Sequence, residues 1–218
     1  MHEIGIYGKQ TSCVGLMLSA NTTIVDNVCY NGPRAGINYN DGFGGGNFFA
    51  RNAVWNMVRE TGDHGPLNSW DRQAYWTWSG VDDGFHDPRG RSFLRAWDIN
   101  ERNLMLNGYN GVWAYDHDDN SQFVVDRSSF MIFGGCKNYL GHHKNCTGNV
   151  ILYPGTDGRS QGDRRCQTDD NGQFADQFHE GNLCTSADGK FYTFSGCNIT
   201  SPDFIGFEGC SSHRWHGK

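Results

Sequence analysis

The sequence predicts an all-β protein wound as a β-solenoid, and three observations carry that expectation. The first is a degenerate repeat, in which an asparagine among apolar or β-branched residues is followed by three mostly apolar residues and then often a second asparagine. It reads DNVCYN at Asn27 and Asn31, RNAVWN at Asn52 and Asn56, and RNLMLN at Asn103 and Asn107, with looser versions in GNVILY from Asn149 and GNLC from Asn182. The second is spacing: Asn27 and Asn52 are 25 residues apart, about one coil of stacked units that share a continuous core. The third is composition. With 30 Gly, 20 Asn and only 5 Pro in 218 residues, short apolar runs broken by turn formers replace any long helical periodicity.

Element by element, strands are expected at 4–7, 23–30, 36–39, 48–55, 99–106, 112–115, 123–125, 130–133, 150–153 and 191–194. Loops such as NDGFGGGN (40–47) and DDGFHDPRGR (82–91) separate them. Asparagine suits the bends because it tolerates the left-handed conformation and its amide can bond backbone groups around the turn. Stacked in successive coils, such amides can form a ladder. Coils are expected over 1–200, with long loops at 59–98, and a tail or cap at 201–218.

Composition narrows the class further. Aromatic content of 14% with 7 Trp excludes disorder. A net charge of −6 without a basic stripe argues against a nucleic-acid partner, and no apolar run is long enough to span a membrane. Eight cysteines without a CxxC motif read as disulfides in an oxidising compartment. They are Cys13, Cys29, Cys136, Cys146, Cys166, Cys184, Cys197 and Cys210. The close pairs expected are Cys13–Cys29, Cys136–Cys146 and Cys197–Cys210. Sequons at Asn21, Asn145 and Asn198 agree with a glycoprotein of the eukaryotic secretory pathway, secreted or at the cell surface. The opening MHEIGIYGKQ is not a signal peptide. HEIGIYG reads instead as the last strand of a coil, so the chain is expected to be the C-terminal portion of a longer helix.

The Asn-x-apolar-x-Asn pattern followed by Gly-apolar resembles right-handed parallel β-helix proteins of the pectate-lyase-like superfamily, over most of residues 1–200 and more weakly after Asn149. That resemblance implies a right-handed parallel β-helix. It also implies a polysaccharide or glycan partner, held in a groove along stacked strands. It does not choose a reaction, because the fold hosts lyases, hydrolases, epimerases and adhesins.

Chemistry is expected where strands end in acid: GINYND, GPLNSWD and GVWAYDHDD. If these stack, Asp41, Asp71 and Asp116 fall on one edge, with neighbouring coils roughly 5 Å apart and alternate ones roughly 10 Å. Those separations bracket the carboxylate pairs of retaining and inverting glycosidases. Asn38, Tyr39, Asp63, His64, Asn68, Trp70, Arg72, Tyr115 and His117 are the expected substrate-binding residues, since rings stack on sugars while amides and charges bond hydroxyls. His64 and His117 each adjoin acids that could orient a base. Asp116, Asp118 and Asp119 are Ca²⁺ candidates without the spacing or glycine of a calcium loop, and no other cofactor is expected. His142 and His143 read as surface loop. Three functions follow: a glycoside hydrolase using paired aspartates; a glycosylated scaffold assembling with other extracellular chains; and a polysaccharide lyase or epimerase, disfavoured by the scarcity of Lys near the acids.

Overall fold

The computed structural model describes residues 1–40, 45–70, 96–106, 113–118, 121–138, 143–152, 178–185, 191–195 and 213–214. Five coils follow one another, each giving one strand to each of three parallel sheets. The first holds β1 (Val14–Met17), β2 (Thr23–Val25) and β3 (Val28–Tyr30); the second holds β4 (Ile37–Asn40), β5 (Phe48–Ala50) and β6 (Ala53–Trp55). The third holds β7 (Leu67–Trp70), β8 (Asp98–Glu101) and β9 (Leu104–Leu106); the fourth holds β10 (Tyr115–His117), β11 (Val124–Arg127) and β12 (Phe130–Ile132). The fifth holds β13 (Cys136–Asn138), β14 (Lys144–Thr147) and β15 (Val150–Leu152). Sheet I stacks β1-β4-β7-β10-β13, sheet II β2-β5-β8-β11-β14, and sheet III β3-β6-β9-β12-β15. This is a parallel β-helix, and no helix occurs among the described residues.

One continuous strand, β16 (Phe178–Thr185), pairs with both β14 and β15. The parallel stack ends there, because β17 (Phe191–Ser195) lies antiparallel on β16 and β18 (His213–Arg214) antiparallel on β17. Among the described residues, no parallel strand follows β16. At the other end, residues 4–7 form no strand. Only His2 bridges to Tyr30, and the His2, Tyr30 and Trp55 rings stack at 4.8 Å intervals.

The repeat marks the bend between sheets II and III. At that bend Asp26, Arg51, Arg102, Ser128, Gly148 and Gly181 all take positive φ, between 52° and 63°. A single left-handed residue turns the chain while its N–H still reaches the next coil: Asp26 donates to the Ala50 carbonyl and Gly148 to that of Glu180. The next residue of each coil forms the ladder. The N–H of Asn27 donates to Asn52 Oδ1 (3.1 Å), Asn52 to Asn103 Oδ1 (2.8 Å), and Asn103 to Ser129 Oγ (3.1 Å). Ser129 donates to Asn149 Oδ1 and Asn149 to Asn182 Oδ1, both at 2.9 Å. These backbone groups are shut away from water, so an unmade bond would cost most of its desolvation penalty.

Cys29, Val54, Met105, Met131, Ile151 and Cys184 form one buried column from sheet III, facing Ile37, Leu67, Tyr115 and Cys136 of sheet I. Between sheets I and II the interior is polar. Ser69 Oγ meets His117 Nδ1 at 2.6 Å, and His117 Nε2 meets Asp126 Oδ2 at 2.8 Å. Asn100 donates to Asp126 Oδ1 (2.7 Å), and Lys144 Nζ donates to the His117 carbonyl (2.9 Å). Burial, with the Lys137 charge nearby, pushes the Lys144 amine down to about 7.

The expected Cys13–Cys29 and Cys136–Cys146 disulfides are present, no described cysteine is free, and Cys184 is also disulfide-bonded. These bridges point to an oxidising environment. Cys197–Cys210 and Cys166 lie outside the described residues. Asn21 is exposed as a glycan site requires, but Asn145 sits in β14 half-buried with its Oδ1 covered, because it belongs to a strand rather than a turn. Asn198 lies outside the described residues. His143 lies outside the strands, as expected of a loop residue, but it is half-buried: it turns the chain at φ 52° and packs on Phe123 at 4.6 Å. His142 lies outside the described residues.

Two measurements check this interior. Asn52→Ala strands the Asn27 N–H and the Ile24 carbonyl that its amide now serves, so urea unfolding should show a loss of about 2–4 kcal/mol. Lys144 should make stability rise with pH. Its folded pKa lies below its unfolded value, so the unfolded chain holds more protons between those two values, and the burial penalty is relieved as pH climbs above about 7. From pH 7 to 9 the gain should be about 2–3 kcal/mol, and Lys144→Met should flatten it.

Candidate functional site

Side chains alternate along the strands of sheet I. Ile37, Leu67, Tyr115 and Cys136 share one inward register, and Tyr39, Ser69 and His117 share the other. The outward register between them is Gly15, Asn38, Asn68, Asp116 and Lys137, with Asn40 and Trp70 outward one step further on. The site is built on this outer face.

Asp116 is its centre and is fully buried. Asn68 Nδ2 donates to its Oδ2 at 2.8 Å, and Lys137 Nζ sits 3.0 Å from its Oδ1 and 3.2 Å from Asp118 Oδ1. The ammonium also lies over the Trp113 ring, 4.2 Å from its centroid. Burial pushes the Asp116 carboxyl up, yet the His64 ring and the Lys137 ammonium together hold it below the usual carboxylate range. Burial likewise pushes Lys137 down, and Asp116 with Asp118 outweighs it, leaving the amine above its ordinary value.

His64 enters from the loop before β7. Its backbone takes φ 85°, and a Cβ at the following Gly65 would collide with the Trp113 carbonyl, so the loop presses tightly on the next coil. Its ring stacks on Trp70 at 5.9 Å. Nδ1 lies 3.5 Å from Asp116 Oδ2 and 3.9 Å from Asp63 Oδ2. Arg34 lies over Trp70, 5.1 Å from the ring centroid. Beside it an open cleft of about 460 Å³ is lined by Gln10, Thr11, Ser12, Gly15, Leu16, Met17, Arg34, Asn38, Asn40 and Trp70.

The outer face thus brings together Asn38, Asn68, Trp70, His64, Asp63 and Asp116. Tyr39, Tyr115 and His117 are corrected: all three are fully buried in the interior, because the two-residue period turns them away from the acid that follows or precedes them. Asp41, Asp71, Arg72 and Asp119 lie outside the described residues. The expected equivalence of the three aspartates does not hold. Asp116 is in register with Asn38 and Asn68, which precede Asp41 and Asp71 by three residues. The Ca²⁺ grouping is changed too, since Asp118 pairs with Lys137. Arg34, Asn40 and Lys137 are additions. Lys137 could have been found by aligning GGCKN with the other sheet I strands, although no acid ends it.

Ser69, His117 and Asp126 have the atom contacts of a hydrolytic triad but cannot act as one. Ser69 and His117 are 0% exposed and Asp126 2%, and Ser69 Oγ is also engaged by Ser121 at 2.9 Å. The imidazole edges are also reversed relative to that mechanism, with the hydroxyl on Nδ1.

Topology defines the chain as a parallel β-helix protein. Comparison with protein-family models, curated proteins and solved structures finds no match.

Asp116→Asn should cost about 2–4 kcal/mol, because it leaves the buried Lys137 ammonium with Asp118 alone. Lys137→Met in that background should recover most of the loss. Additive effects in the double-mutant cycle, read from denaturant midpoints, would show the pair to be uncoupled.

Proposed function

We propose that this is a secreted or cell-surface protein that binds a polysaccharide along the outer face of sheet I. The observation that carries this reading is the cleft beside Trp70, where a guanidinium, two asparagine amides and an indole border one open concavity. Saccharides are recognised by that mixture of aromatic surface and amide or charged donors, and ligand sites favour concave places with a few convergent polar groups. Hydrolysis by paired aspartates draws no support from Asp116, which is buried and bound to Lys137; its remaining candidates are Asp41 and Asp71. A lyase gains the cation it lacked in Lys137, but two carboxylates already engage that ammonium.

Assembly with other extracellular chains is the second reading. It is favoured by the outer face of sheet III, where Val28, Leu104 and Phe130 are exposed in one apolar column. Sedimentation showing a monomer at all concentrations would remove its support.

Affinity electrophoresis through neutral and anionic polysaccharides tests the main reading. At least one polymer should retard the protein, and Trp70→Ala and Arg34→Ala should each weaken binding at least about tenfold. Retardation unchanged in both variants would overturn it, and released reducing ends or unsaturated sugar would add turnover to binding.

A further inference from the structure

We propose that Asp63, His64 and Asp116 form a binding site for a divalent transition-metal ion. One oxygen from each carboxylate and one imidazole nitrogen lie within 4.8 Å of one another. Tetrahedral ligands about 2.0–2.2 Å from a common Zn²⁺ stand roughly 3.3–3.6 Å apart, so the three donors need draw together by only about 1 Å to share an ion. The His64 contacts, at 3.5 and 3.9 Å, are long for hydrogen bonds but suit two atoms sharing an ion.

His64 Nδ1 is buried and makes no hydrogen bond. Its side chain is 8% exposed, and stacking on Trp70 holds the ring with that nitrogen facing both carboxylates. A buried imidazole nitrogen without a hydrogen bond is costly unless something occupies the space it faces.

The surrounding groups orient the ligands while leaving them free. Lys137 takes Asp116 Oδ1, and Asn68 takes one lone pair of Oδ2, so the other lone pair faces the gap. Asp63 is steadied by its Oδ1, which accepts from the His64 backbone N–H at 3.1 Å, while Oδ2 points to Nδ1. Such supporting bonds commonly set ligand orientation in metal sites. Three carboxylates (Asp63, Asp116, Asp118) stand against Lys137 and Arg34, leaving excess negative charge for a cation to neutralise. One imidazole among oxygen donors selects an ion of the zinc type over Ca²⁺, which takes oxygen ligands.

The test is calorimetric titration of chelator-stripped protein with Zn²⁺ and, separately, Ca²⁺, for the wild type, His64→Gln and Asp63→Asn. Asp63 has an exposed side chain, so its variant keeps the fold, and a melting curve confirms this for both. Wild type should take up one Zn²⁺ and show a raised Tm, and each variant should bind at least about tenfold more weakly. Loss of the cobalt-substituted protein's nitrogen-ligand absorption in His64→Gln would support the same assignment. No Zn²⁺ uptake by wild type, variants that bind as tightly as wild type, or Ca²⁺ bound as strongly as Zn²⁺ would each overturn it. These readouts are independent of polysaccharide binding.

Discussion

Everything in this molecule depends on turning the chain between sheets II and III without leaving a backbone group unpaired. A coil closed around a dry core has N–H groups at its corners that face inward, and water cannot reach them. Asparagine answers this because one side chain supplies both acceptor and donor. Asn52 Oδ1 accepts from the N–H of the coil before, while its Nδ2 donates to the Ile24 carbonyl. Coil 4 shows how strict the requirement is. There Ser129 stands in the asparagine's place with a hydroxyl only, and Tyr115 reaches across from sheet I to complete the network. Tyr115 accepts from Asn103 Nδ2 at 3.0 Å and meets Ser129 Oγ at 2.9 Å. The ladder thus ties sheet I into the same hydrogen-bonded system.

Because register is fixed at that bend, the opposite side of the coil is free to vary. Asn27 and Asn52 are separated by 25 residues, Asn52 and Asn103 by 51, Asn103 and Ser129 by 26, and Asn149 and Asn182 by 33. The bonds across all of these steps are nonetheless equivalent. Extra chain between β7 and β8 therefore costs loop-closure entropy that grows only slowly with length. Function is most readily placed where a scaffold tolerates such additions. In this protein the longest such addition follows a strand of sheet I, on whose outer face Asn68, Asp116 and Lys137 align.

The same division explains what could be read from the sequence. Asparagine at a bend has a chemical reason visible in one dimension, so the coils at Asn27, Asn52, Asn103 and Asn149 were legible, as were two disulfides that close short loops. The site was legible only in part. Proximity in sequence to an acid drew in His64 and Asn68, which lie against Asp116, but it also drew in Tyr39, Tyr115 and His117, which the pleat of the strand turns into the core. A shift of one residue reverses every side chain of a strand, so register had to be known before any of these could be assigned a face. Lys137 carried only a faint signal for the converse reason: its strand, Cys-Lys-Asn, has no acid to mark it, and pairing with β10 is what places the amine on Asp116.

Two buried polar systems flank sheet I, and they differ in geometry. Inside, Ser69, His117, Asp126 and Asn100 pair with one another at 2.6 to 2.8 Å, a connected network of the kind that rigidifies a core, with only Asn100 Oδ1 among its members left without a hydrogen bond. Outside, the cluster around Asp116 is incomplete. His64 Nδ1 and Asn68 Oδ1 are covered and make no hydrogen bond, and His64 is held against Asp116 at 3.5 Å by a strained backbone. Burying an ion pair is weak support for stability, since desolvation offsets most of its attraction. An arrangement that adds strain and unpaired buried atoms to that cost is poorly explained as a staple of the fold. It fits the proposed metal site, in which an ion held by Asp63, His64 and Asp116 would supply the interaction that His64 Nδ1 lacks.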